Sequence, residues 1–235
     1  MALNIVSVGG DGTLFETING MANKKVNLGI IAGGTGNDFI RSVEIPTDIY
    51  EALEIIKNGK IKDIDLGMVN GKYFINVVSF GIDGEIVRIT DKIKKYIKGS
   101  AAYLSATLKS LVVYKAKSML IEIDGVKYHR EAYLVAVGNG KYFGGGMKVL
   151  PNAEIDDELL DICIVKKMSK VKLIALFPSI FSGKHISIKG VEYFKGKKVS
   201  IKSIKDKIIV NADGNLIGPS PAKIEILNKK IKLLV

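Results

Sequence analysis

Apolar positions open the chain as a run, Ala2–Val8, closed by Gly9-Gly10. The arrangement returns at Val26–Ala32, closed by Gly33-Gly34. Short apolar runs ended by glycine read as buried strands of a parallel sheet. Around them the spacing turns helical. Leu14–Ala22 puts Leu14, Ile18 and Met21 on one face, Asn37–Val43 starts at Asn37 or Thr35 as N-cap, and Ile49–Lys57 stops at Asn58-Gly59. Residues 1–58 therefore predict an α/β unit whose two strands open onto glycine-rich turns.

After Ile61 the pattern shortens. Lys62–Val69, Tyr73–Ser79, Met119–Ile123, Ala132–Val137, Leu160–Lys166, Lys198–Ile204, Lys207–Asn211 and Ala222–Leu227 are β-branched segments, and Lys230–Val235 is a final strand. Asn70-Gly71, Asp124-Gly125 and Asp213-Gly214 are hairpin dipeptides. Two helices interrupt the strands. Asp83–Lys98 aligns Ile86, Ile89, Ile93, Tyr96 and Ile97, and Ser100–Tyr114 aligns Leu104, Leu108 and Leu111. The expected class is α/β plus all-β in two domains. Residues 1–66 with 228–235 form the first, and 67–227 a mainly antiparallel β unit with two inserted helices.

Composition changes this picture in two places. One cysteine, Cys163, in 235 residues excludes an internal disulfide and a Cys-rich zinc site, and reads as a buried small hydrophobe. His129 and His185 have no Cys or His partner at metal-binding spacing. The net charge of +11 is uneven: residues 1–48 carry three basic and five acidic side chains, so the excess lies entirely beyond them. That placement suits a polyanionic partner, and suits a solvated lysine-rich surface equally. No apolar run reaches the ~20 residues of a membrane span, and Met1–Val8 lacks the basic region of a signal peptide. A cytoplasmic protein is expected. Lys92, Lys94, Lys95 and Lys98 lie opposite an apolar stripe, an arrangement shared by helices at anionic membranes and by ordinary surface helices.

The chemistry concentrates in two turns, Gly9-Gly10-Asp11-Gly12-Thr13 and Gly33-Gly34-Thr35-Gly36-Asn37-Asp38, each between a strand and a helix. Glycine lets backbone N–H groups approach an anion, and the following helix N-terminus favours negative charge. A carboxylate beside such a site calls for a cation. Both turns sit at strand C-termini, where open α/β sheets bind ligands. Neither matches the P-loop or the dinucleotide fingerprint. The basic residues lack the interleaved aromatics of a single-strand nucleic-acid surface, so no nucleic-acid partner is expected.

Gly9–Glu16 resembles the nucleotide-binding signature of diacylglycerol kinases and related lipid kinases, part of which NAD kinases and phosphofructokinases share. Gly34–Phe39, Gly138–Met147 and Pro151–Asp161 are similar to later motifs of the lipid kinases, in the same order. The resemblance implies an NAD-kinase-like ATP-binding domain and a β-sandwich. It implies ATP contacts from Gly9, Gly10, Asp11, Gly12, Thr13, Glu16, Gly34, Thr35, Gly36 and Asn37. It implies a catalytic Mg²⁺ network of Asp11, Asp38 and Asp65, and a structural Mg²⁺ held by Asp157 with the carbonyls of Glu154 and Leu159. A lipid substrate, peripheral contact with the inner face of an anionic membrane and room for a homodimer follow in the same way.

Three departures stand out. The resemblance places a glutamate base where Asn215 stands, leaving Asp213 as the nearby carboxylate, and amide nitrogen accepts no proton at neutral pH. It places glycine at Glu158. It also implies a preceding βαβα segment with an Asn-Pro-x-x-Gly loop. Three expectations follow: a kinase phosphorylating diacylglycerol, a catalytically impaired lipid-binding relative, or, less favoured, an NAD kinase.

Overall fold

The computed structural model describes residues 3–93 and 100–235. The first unit runs β1 (Leu3–Gly9), α1 (Asp11–Met21), β2 (Val26–Ala32), α2 (Asp38–Ser42), α3 (Ile49–Asn58) and β3 (Ile61–Val69). β1 and β2 pair in parallel from Leu3↔Val26 to Gly9↔Ala32, so their C-terminal turns end at one level. Leu14, Ile18, Leu28, Phe39, Ile64 and Leu233 bury the core of this unit.

The second unit continues with β4 (Lys72–Phe74), β5 (Val77–Gly81), α4 (Ile82–Ile93), α5 (Ser100–Val113), β6 (Lys117–Ile123), β7 (Val126–Gly138), β8 (Leu160–Lys166) and α6 (Lys170–Phe181). A short 3₁₀ turn, Lys184–Ser187, precedes β9 (Val191–Gly196), β10 (Lys198–Ser203), β11 (Ile209–Ala212), β12 (Asn215–Pro219) and β13 (Ala222–Leu234). Two cores flank its sheet. One is built from Phe74, Phe80, Met119, Ile121, Ile162 and Val210. The other lies under α4, α5 and α6, around Ile86, Leu111, Leu134, Leu173 and Phe177.

β13 joins the units. It pairs with β10 near its start and runs parallel to β2 near its end, at Lys232↔Asn27. It also follows β3 antiparallel for most of its length, with a register shift between Ile226 and Lys230. Positions 66 and 228 therefore fall inside strands that both units share.

The hairpin dipeptides behave as their chemistry requires. Asn70, Asp124 and Asp213 take φ of 47°, 46° and 46°, each followed by a glycine with positive φ. Other elements differ from the pattern. Tyr73–Ser79 is two strands, because the N–H groups of Ile75, Asn76 and Val77 all turn to the Asp213 carboxylate. The two segments at the C-terminal end are one strand. A third helix, α6, joins the two expected ones, capped by Ser169, whose side chain accepts from the Lys172 N–H. Asn37 precedes α2 at φ 48° but makes no side-chain cap. The side chains of the Lys92–Lys98 face lie outside the described residues.

Candidate active site

Gly33 N–H donates to the Gly9 carbonyl at 2.8 Å, which stitches the two glycine turns together. A Cβ on Gly34 would stand 2.5 Å from the Gly10 Cα, and one on Gly33 3.2 Å from the Gly9 Cα. Glycine is therefore required here for the approach of two backbones. The Asn37 side chain fixes the second turn, accepting from Gly34 N–H at 3.1 Å and donating to the Gly34 carbonyl at 2.7 Å.

α1 begins at Asp11, and its first intrahelical bond is Leu14 N–H to Gly10 O. The N–H groups of Asp11, Gly12 and Thr13 are therefore not spent within the helix, and Gly10 offers no side-chain cap. Gly12, Thr13, Glu16 and Thr35 are exposed, and a Cβ on Gly12 would meet only open space. This is an open seat for an anion.

Asp11 lies between the turns. Its Oδ1 accepts from Asp38 N–H at 3.0 Å and Phe39 N–H at 3.3 Å, so it caps α2 from another element. Its Oδ2 accepts no hydrogen bond from the described residues. Asp38 is buried, and its carboxylate accepts from Gly145 N–H at 2.8 Å and Gly146 N–H at 2.7 Å. Burial pushes its pKa up, the two N–H groups pull it back, and the Asp11 charge adds to the rise. Gly144, Gly145 and Gly146 all have positive φ, which folds the loop so that Phe143 N–H reaches Met147 O. Ser42 Oγ accepts from Lys141 N–H across the same boundary.

Asp213 closes the far side. It is buried, accepts three backbone N–H bonds at 2.9–3.2 Å, and feels the charge of Asp11. Burial raises its pKa to about 7. Its oxygens are committed to holding β11–β12 against β5, a positioning role. Asn215 donates to the Asp213 carbonyl at 3.1 Å.

Asp65 is not brought to Asp11 and Asp38. Fully buried, it accepts from Glu158 N–H at 2.7 Å and faces the Lys230 ammonium at 3.2 Å. Among the described residues no three acidic, His or Cys side chains stand close enough to share a metal. Asp65 instead braces the Glu154–Leu159 loop, with Asn139 bonding the carbonyls of Asp65 and Ile155. In that loop Glu158 takes φ 60°, the left-handed turn that favours glycine. Asp157 accepts from Leu159 N–H and pairs with Lys195 at 2.7 Å. Asp161, buried beside it, faces the same Lys195 ammonium at 3.7 Å, and burial pushes its pKa up.

The phosphate seat fits a nucleotide, since two glycine backbones and unspent helix N–H groups converge on open space. Asp11 has an oxygen left for a hard cation, and Mg²⁺ commonly needs only one or two carboxylates beside water and phosphate. Asp157 and the carbonyls of its loop offer the oxygen donors a hard cation takes, beside an Asp161 that Lys195 meets only in part.

Behind the Phe143–Met147 loop lies an apolar cavity of about 50 Å³ between α4, α5, α6 and the sheet. Phe143, Met147, Leu134, Leu173 and Phe177 line it, with Asp83 as its one acidic group. Asp83 accepts from Ser79 Oγ at 2.7 Å. Burial pushes its pKa up. Sequence reasoning missed Asp83, Asn76 and Ser42, for nothing local marks a residue whose partner is distant.

Residues 2–69 match the diacylglycerol kinase catalytic domain, and residues 76–235 the YegS C-terminal NAD kinase beta sandwich-like domain. A diacylglycerol kinase of Staphylococcus saprophyticus is 34% identical over 231 residues, covering 97% of this chain and 75% of that protein. The chain belongs to the diacylglycerol kinase family. Another diacylglycerol kinase, from Staphylococcus aureus strain Newman, is 35% identical over 229 residues, 97% of this kinase and 72% of that one. A solved diacylglycerol kinase from Bacillus anthracis superposes with a TM-score of 0.73 at 29% identity, covering 98% of this kinase and 75% of that chain. An NAD kinase from Archaeoglobus fulgidus in complex with ATP shares the fold at TM-score 0.53 and 15% identity, covering 99% of this kinase and 77% of that chain. No helix among the kinase's described residues is long and apolar enough to cross a membrane.

Buried carboxyls give the kinase a distinctive pH response. Asp83 and Asp213 hold their protons above the ordinary value of 3.8. Between pH 3.8 and about 7 the folded Asp213 binds more protons than the unfolded chain does, so its contribution makes stability fall as pH climbs, against a smaller opposite contribution from buried His185. The melting temperature should be higher at pH 5.5 than at pH 8. Asp213→Asn should melt lower overall, with a shallower decline. A melting temperature that rises with pH between 5.5 and 8 would contradict this.

Proposed function

We propose that this chain transfers the γ-phosphoryl group of ATP to the hydroxyl of diacylglycerol, forming phosphatidic acid at the cytoplasmic face of a membrane. The observation that carries the reading is Asp11, placed between two abutting glycine turns beside unspent helix N–H groups. Gly9, Gly10, Gly12, Thr13, Glu16, Gly34, Thr35, Gly36 and Asn37 hold the nucleotide. Asp11 is the residue that would hold Mg²⁺ there, with Asp38 fixing its surroundings through Gly145 and Gly146. Bound Mg²⁺ supplies charge neutralisation at the transferring phosphoryl group. A second Mg²⁺ at Asp157, Glu154 and Leu159 would answer the demand of Asp161, which Lys195 meets in part. The apolar cavity beside Phe143 and Met147 is the place for the acceptor's hydrocarbon, with Asp83 as the acidic group on its wall.

The acceptor hydroxyl receives no base from the Asp213–Asn215 hairpin. Asn215 cannot take a proton, and the Asp213 oxygens are occupied. Phosphoryl transfer tolerates this, since positioning and electrostatics supply most of its catalysis. Asn215 also favours a second reading, a lipid-binding relative without turnover. Label transfer from γ-labelled ATP into dioleoylglycerol in mixed micelles separates them. The wild-type chain should form phosphatidic acid, and Asn215→Glu should turn over about 10²-fold faster, the usual scale of general-base catalysis. A silent wild type with an active Asn215→Glu would establish the second reading. No transfer by either would sink the kinase reading.

A further inference from the structure

α6 is apolar on two faces. Leu173, Leu176, Phe177 and Ile180 are buried, and a second row, Val171, Ile174, Pro178 and Phe181, is exposed. At 100° per residue these four positions make one outward stripe. Val171 is 79% exposed, and the only charges on α6, Lys170 and Lys172, lie in its first turn. α5 extends the surface, since Leu108, Val112 and Val113 are also exposed. The Lys170 ammonium donates to the carbonyls of Leu111 and Tyr114, which ties the end of α5 to the start of α6.

The unpaired charge around this surface is cationic, since Lys117, Lys166 and Lys167 are met by Asp206, Glu192 and Glu131 while other lysines face solvent. Lys109, Lys115, Lys172, Lys184 and Lys189 are exposed. An apolar stripe fringed by cations matches an anionic bilayer, where apolar side chains enter the interface and lysines meet headgroups. A second copy would bring its own lysines against these. The inner faces of the same helices wall the apolar cavity, so the surface and the cavity share α5 and α6.

We infer that the outer face of α6, with the adjoining edge of α5, seats in an anionic bilayer. The choice of a lipid surface rests on the lipid-kinase reading. The test is sedimentation of the full chain with phosphatidylcholine vesicles, with and without phosphatidylglycerol. Wild type should bind only the anionic vesicles, and less as salt rises. Val112→Gln/Val171→Gln/Ile174→Gln should lose about tenfold in vesicle affinity. So should Lys172→Glu/Lys184→Glu, whose positions are exposed and unpacked. Both variants should keep the wild-type melting temperature and rate on a monomeric short-chain diacylglycerol. Variants that bind as wild type does, or a wild type indifferent to phosphatidylglycerol, would overturn the assignment. A dimer that dissolves in the apolar variant without change in vesicle affinity would assign the face to a second copy instead. If wild type fails on the short-chain lipid, the kinase reading fails, and the vesicle result still stands on its own.

Discussion

Asp11→Asn should lower the rate of phosphoryl transfer about a thousandfold while leaving the protein folded. The size follows from what charge does in such a site. Removing one preorganised electrostatic partner of a transition state typically costs about 3–4 kcal/mol. The choice of asparagine matters. Its amide oxygen can still accept from Asp38 N–H and Phe39 N–H, so α2 keeps its cap. Converting charge-assisted bonds to neutral ones costs about 1 kcal/mol. Relief of repulsion with Asp38 and Asp213 offsets part of that, since both feel the Asp11 charge. Steady-state rates beside a melting curve check the split. A variant with near-normal turnover would remove Asp11 from the chemistry. A variant that does not fold would show Asp11 to be structural first.

Gly34→Ala should cost both stability and nucleotide binding. The added Cβ would lie 2.5 Å from the Gly10 Cα and 2.9 Å from Asn37 Oδ1. The first contact is backbone, so no rotamer change relieves it. Overpacking of this kind costs about 1–3 kcal/mol. Relief has to come from parting the two turns, which would stretch the Gly33–Gly9 hydrogen bond and misplace the N–H groups of α1. Nucleotide affinity, by calorimetric titration, should fall at least about tenfold, one factor of ten for each 1.4 kcal/mol of lost fit. Gly20→Ala, on α1 but away from the turns, is the control, because its Cβ would enter open space. Equal affinities for Gly34→Ala and wild type would show that the close approach has no part in binding.

The parts legible in the sequence were those where local chemistry decides. Asn-Gly and Asp-Gly pairs specify their turns without help, and glycine after an apolar run marks where backbones meet. The rest depends on partners far away in the chain. Nothing near Ile75 reveals that its N–H points at Asp213. Asp65 read as a metal ligand because its neighbours fitted a motif, and only the return of β13 brings Lys230 to it. α6 escaped for a different reason. A helix apolar on two faces and holding Pro178 has a weak periodic signal. β9 and β12 lack the dense β-branched pattern of the other strands, and their pairing with β8 and β11 defines them.

β13 constrains more than architecture. Its end lies beside β2 at Lys232↔Asn27, and its start lies in the sandwich at Ala222↔Ile201. The nucleotide side therefore completes its sheet with residues synthesised some two hundred positions later. A nascent chain carrying both glycine turns still lacks the strand that supports them. Closing so long a loop is slow, which favours late and concerted folding. Because β13 is shared, loosening one unit pulls on hydrogen bonds of the other, so the two should melt together. A nucleotide bound at the turns would then protect the distant β-sandwich from unfolding, with no change of shape needed to carry the effect.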